Sequence, residues 1–133
     1  MDTELSSFNI NESLEELIAL LNRFAHQKKI TLEKQFEKEL PLIQSNPSLL
    51  QLAVFNIIQD MMTRLDKNSN ISLQTNVTNG HVSIRINIKG NLLATSQESA
   101  PDTLNDRIIK KLGGDFLQET EKGILIKLPK LLS

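Results

Sequence analysis

The chain has 133 residues with 15 Lys plus Arg against 16 Asp plus Glu, a formal net charge of −1. That length suits one domain able to bury a core without staples, and nothing in the balanced charge suggests the basic stripe of a nucleic-acid interface. No cysteine is present, which excludes a disulfide framework, a Cys zinc site and thiol catalysis and fits a reducing compartment.

Met1 to Ile10 reads as a polar lead-in with no signal-peptide core. Asn11 and Ser13 are candidate helix caps, and Ser13-Leu-Glu-Glu16 fits a capping box. Leu14, Leu17, Ile18, Leu21, Phe24 and Ala25 follow helical spacing to about Gln27, with Glu12, Glu15 and Glu16 where the helix dipole favours anions. Lys29 to Lys38 alternates apolar Ile30, Leu32 and Phe36 with charges, the pattern of a half-solvated strand. Leu40 to Ile43 reads as a connection. Asn46-Pro47 is a helix start, a capping Asn followed by Pro at the first helical position. The helix it opens carries the stripe Leu50, Val54, Ile57, Ile58, Met61 and Leu65.

Two period-two strands follow. Ile71, Leu73 and Val77 share one face of the first, and Val82, Ile84, Ile86 and Ile88 share one face of the second. Asn79-Gly80 joins them as a tight hairpin turn, since both turn positions need positive φ. Gly90 to Pro101 is a polar loop, and a third helix over about Asp102 to Leu112 stops at Gly113-Gly114. Asp115 to Thr120 and Gly123 to Leu128 form a last hairpin. Three amphipathic helices and five half-polar strands predict an α+β, two-layer sandwich: a mixed sheet of about five strands with three helices on one face. No apolar run reaches the length of a membrane span, and the expected location is cytoplasmic.

This order, with its motifs, resembles the ATP-binding catalytic domain of bacterial sensor histidine kinases, the GHKL or Bergerat fold. The resemblance covers residues 11–131 as one domain. It is carried by Lys28-Lys-Ile-Thr-Leu as the first core strand and by Leu50 to Asp60 as the N-box helix. Leu112-Gly-Gly114 and the closing Gly123 to Pro129 resemble the domain's end. The resemblance also implies where nucleotide chemistry would reside. The N box needs two Asn residues one helical turn apart, the second ligating Mg²⁺; here they are Asn56 and Asp60. Asp60 is still an oxygen ligand and thus a candidate metal residue, although it adds negative charge beside a triphosphate. The first glycine box, Asp-x-Gly-x-Gly, aligns with Ile88 to Leu92. Gly90 fits, but Ile88 stands for the adenine-reading Asp and Leu92 for the second glycine. The second glycine box aligns with Ser99 to Asp102, where Pro101 has no N–H to give a phosphate. The lid is shortened to about Leu93 to Glu98. The expectation is a remnant pocket at Asn56, Asp60 and Gly90, filled or blocked by Ile88, Leu92 and Pro101.

Plainer readings stand beside these. Asn56 and Asp60 also suit a polar border of the core. His26 suits a helix C-terminus and His81 a strand edge, rather than phospho-acceptors. Lys28, Lys29, Lys34 and Lys38 suit a solvated strand end, and Lys110-Lys111 the last turn of a helix. No nucleophile–base motif is present.

The resemblance, with both glycine boxes lost, implies a non-catalytic interaction or regulatory module in two-component-type signalling, with no cofactor. Its expected partner is a protein, a response-regulator receiver or a histidine kinase, and neither nucleic acid nor membrane. The alternative is a divergent histidine-kinase domain that still binds ATP and magnesium weakly.

Overall fold

A computed structural model describes residues 6–78, 80–90, 93, 103–120 and 123–129. In chain order the elements are β1 (Ser6–Phe8), α1 (Ile10–Gln27), β2 (Thr31–Gln35), β3 (Ile43–Ser45) and α2 (Pro47–Arg64). There follow β4 (Asn70–Thr78), β5 (His81–Lys89), α3 (Thr103–Lys111), β6 (Asp115–Thr120) and β7 (Gly123–Pro129). The main sheet has the order β2-β4-β5-β7-β6, with β2 parallel to β4 and the other pairs antiparallel. It is therefore the mixed five-stranded sheet, with three helices, that the sequence pattern predicts.

Period two decides the layering. Ile71 lies opposite Ile88, Leu73 opposite Ile86, and Val77 opposite Val82. The inward residues of β4, β5 and β7 bury one apolar cluster with the helical stripes Leu14, Leu17, Leu21 and Leu50, Val54, Ile57, Ile58, Met61. The opposite sheet face is mostly polar, with Leu117 and Leu125 as apolar residues on it. There Gln74 Nε2 donates to Gln35 Oε1 (2.7 Å), Asn70 Nδ2 to Glu33 Oε1 (3.0 Å), and Arg85 holds Glu119 through two nitrogens. An antiparallel sheet can tolerate one wet face in this way.

The helix starts refine the sequence reading. At α2 the cap is Asn46, whose side chain accepts from the Leu49 N–H (3.0 Å), with Pro47 next. At α1 the cap is neither Asn11 nor Ser13. It is Asn9, which accepts from the Glu12 N–H (3.3 Å). Starting one turn earlier places Ile10 on the buried stripe and makes Ser13 an interior, buried residue. Asn11 is used across the fold instead: its Nδ2 donates to the Glu37 carbonyl (2.7 Å) and its Oδ1 accepts from Thr75 Oγ1 (2.9 Å). Only Glu12 remains in the first turn; Glu15 pairs with Lys34.

A second small sheet was not visible in the sequence. β1 lies within the stretch read as lead-in and β3 at the end of the stretch read as connection. They pair antiparallel, with Phe8 opposite Ile43. Three-residue strands are too short to show a period.

The turns follow backbone chemistry. Gly80 has φ 84, and Thr78 lies opposite His81, which leaves a two-residue hairpin turn whose Asn79 falls outside the described residues. At the end of α3 the Gly114 N–H donates to the Ile109 carbonyl and the Gly113 N–H to the Lys110 carbonyl, with Gly113 at φ 82. This is the paired bonding of a Schellman stop.

Candidate functional site

The site implied by the sequence lies along the flank of α2 that faces α3. Helical spacing puts Asn56 and Asp60 one turn apart on that flank. Asn56 Nδ2 reaches Asn105 Oδ1 of α3 at 3.4 Å. Asn105 is 1% exposed. The two amides thus tie α2 to α3 directly. Asp60 Oδ2 engages Arg64 Nη2 at 3.2 Å, one turn further on. The Arg64 side chain is only 16% exposed, and its Nε is buried with no hydrogen-bond partner. The Asp60 carboxylate, half exposed, therefore already faces a cation. Among the described residues, no three His, Cys, Asp or Glu converge as a metal-binding group.

Ile88 is buried at the end of β5, 5% exposed, and lies opposite Ile71 of β4. Its side chain is part of the sheet's apolar layer, and it offers no acceptor to a base. Gly90 follows with φ 141. A Cβ there would fall 2.5 Å from Ser69 Oγ and 2.7 Å from Ser69 Cβ. Ser69 is itself buried, and its carbonyl accepts from the Thr31 N–H (3.0 Å) to start the β2–β4 ladder. The glycine that survives from the motif thus has a packing reason of its own. Just beyond, the Leu93 N–H donates to the Arg64 carbonyl (2.8 Å), which fastens the chain after β5 to the end of α2.

The structure brings Asn56 and Asp60 onto one flank and places Ile88 and Gly90 at the end of the adjoining strand. Leu92, Pro101, Ser99 and Asp102 lie outside the described residues. His26 is exposed in the last turn of α1, and His81 is exposed at the start of β5. Three residues that shape this region were not anticipated: Asn105, Arg64 and Ser69. Asn105 did leave a signal. It stands in register with Ile108, Ile109 and Leu112, an i, i+3, i+4, i+7 stripe that turns a polar group toward the core.

No protein-family model matches the chain, and no curated protein sequence does either. Solved structures do match. The catalytic domain of histidine kinase ThkA, in a nucleotide-free form, superimposes with a TM-score of 0.79 over 97% of this chain and 99% of that one, at 15% identity. The fold is that of histidine-kinase catalytic domains. The Acinetobacter baumannii histidine kinase AdeS gives a TM-score of 0.77 at 12% identity, over 97% of this chain and 68% of that one. ThkA in complex with the response regulator protein TrrA gives 0.78 at 15% identity, over 95% of this chain and 42% of the kinase chain. In this histidine-kinase fold, α2 is the element the sequence resembles as the N box, and its two polar residues sit where α2 meets α3.

Proposed function

We propose that this chain is a non-catalytic histidine-kinase-like domain that serves as an interaction or regulatory module in two-component-type signalling. The observation that carries this reading is Ile88. It stands where the resemblance calls for an adenine-reading carboxylate, and it is buried against Ile71 in the sheet. An adenine amino group facing it would be left unpaired, a loss of about 1–3 kcal/mol. Asp60 supports the same reading, because its carboxylate is engaged by Arg64. No cofactor is required for such a role. Its partner is a protein, a response-regulator receiver or a histidine kinase. The neighbouring ThkA structure contains a response regulator, which supports that class of partner.

The test is thermal unfolding with and without excess Mg-ATP. A ligand at 100 times its Kd stabilises by roughly 2.7 kcal/mol, a rise in Tm of roughly 8 °C or more for a domain of this size. The expected result is no shift. A clear rise would favour a second reading, a divergent kinase domain that binds Mg-ATP weakly. Asn56 and Asp60, both kept on one flank of α2, and Gly90 support that second reading.

A further inference from the structure

At the edge of the sheet opposite β6, β2 has no strand on its outer side among the described residues. The direction of its hydrogen bonds is fixed by two bonds and the register between them. The Thr31 N–H donates to the Ser69 carbonyl and the Glu37 N–H to the Thr75 carbonyl, with Thr31 aligned to Asn70 and Gln35 to Gln74. In a parallel ladder alternate residues bond to the same neighbour. Odd-numbered residues of β2 therefore bond to β4, and the N–H and C=O groups of Leu32 and Lys34 point to the open edge.

A groove of about 610 Å³ runs between this edge and the last turns of α1. Ile30 and Leu32 supply its apolar floor, and Arg23 and His26 lie on its helical wall, with no acidic residue in its lining. Lys28 and Lys29 form the turn between the lining residues Gln27 and Ile30, and both are exposed. Among the described residues none of Arg23, Lys28 and Lys29 has an ion pair. Nor are their charges needed to cap α1, because its last carbonyls accept from the backbone N–H groups of Lys28, Lys29 and Ile30. At the far end Lys34 is neutralised by Glu15 at 2.7 Å. The groove thus combines a strand-pairing edge, an apolar floor and unpaired cations at one end.

The geometry points to this groove as a docking site for an extended, acidic segment of a protein partner, added as a sixth strand beside β2. Main-chain bonds to Leu32 and Lys34 supply the pairing, and Arg23, Lys28 and Lys29 select for carboxylates. The groove's lining includes neither Asn56 nor Asp60, so the proposal does not rest on the loss of ATP binding.

The probe is a fluorescein-labelled eight-residue peptide of alternating glutamate and valine, followed by anisotropy with and without Mg-ATP. Saturable binding is expected, unchanged by Mg-ATP, together with shifted backbone amide resonances at Leu32 and Lys34. Affinity is expected to fall about tenfold in the double variant Arg23→Glu, Lys28→Glu, whose Tm should match that of the parent because both positions are exposed. The milder pair Arg23→Gln, Lys28→Gln should give an intermediate loss. A peptide N-methylated at two adjacent central residues, equal in charge but short of one N–H on each edge, is also expected to bind about tenfold more weakly. Equal binding of the N-methylated peptide would overturn strand addition. Equal binding of a lysine–valine peptide, or unchanged affinity in both double variants, would overturn the charge selection. Displacement by a short oligothymidylate of matched charge would make the site a general polyanion surface and also sink the proposal, as would no binding of the probe at all.

Discussion

At the scale of single residues, each position of the implied nucleotide site that the structure describes has a structural occupation. Gly90 is the clearest case. Its φ of 141 and the nearness of Ser69 together predict that Gly90→Ala destabilises the fold by about 1–3 kcal/mol. Removing the obstructing side chain with Ser69→Gly should recover part of that loss, and a double-mutant cycle read by urea denaturation would measure the coupling. Additive effects would mean that the two residues do not meet. Ile88→Asp restores the family's acceptor but places a carboxylate against Ile71. The expected outcome is a loss of at least about 3 kcal/mol with no gain in ATP binding, checked by denaturation and calorimetry. Asn105→Ala should cost about 1 kcal/mol or more by stranding the Asn56 amide. The same substitution should leave Asp60 and Arg64 in contact, since they pair within α2.

The elements show where a sequence is legible and why it is not elsewhere. Asn46-Pro47 could be read because the cap and the proline each have a single geometric use, and the structure places both at the start of α2. The start of α1 was misread because Asn9, Asn11 and Ser13 are all competent caps. What separates them is Ile10, which only a helix starting before it can bury. The hairpin β4–β5 was legible in its extent and its inward face, since a one-residue slip would turn every isoleucine outward and the two-residue turn at Asn79-Gly80 closes the pairing at Thr78 and His81. β1 and β3 have three residues each, and no pattern of that length distinguishes a strand from a turn. For the site, the sequence singled out Asn56, Asp60, Ile88 and Gly90, and the structure places the first two on α2 and the others at the end of β5. The sequence could not show that Asn56 faces Asn105 or that Gly90 faces Ser69, because those pairings come from packing between distant segments. One element-scale prediction follows from the caps. Asn46→Ala should lower stability by about 1 kcal/mol, and Asn9→Ala by less, given its longer bond of 3.3 Å. Urea midpoints at constant m would check the order.

At the scale of the whole molecule, the mixed sheet grades stability from its centre outward. Among the described residues, β4, β5 and β7 each pair on both sides, whereas β2 and β6 pair on one. Amide hydrogen exchange should therefore be slowest in β4, β5 and β7 and faster by orders of magnitude at Leu32 and Lys34 of β2. Uniform protection across the five strands would contradict the strand order. No helix among the described residues is long and apolar enough to cross a membrane.

The position of β7 has a temporal consequence. It enters the sheet between β5 and β6, although it is the last of these five strands in chain order. A nascent chain that has emerged only as far as Thr120 holds β6 with no partner and leaves one side of β5 open. Vectorial synthesis therefore cannot close this sheet strand by strand. The growing polypeptide must keep a hydrophobic seam along Val82, Ile84 and Ile86 uncovered until residues 123–129 clear the ribosome.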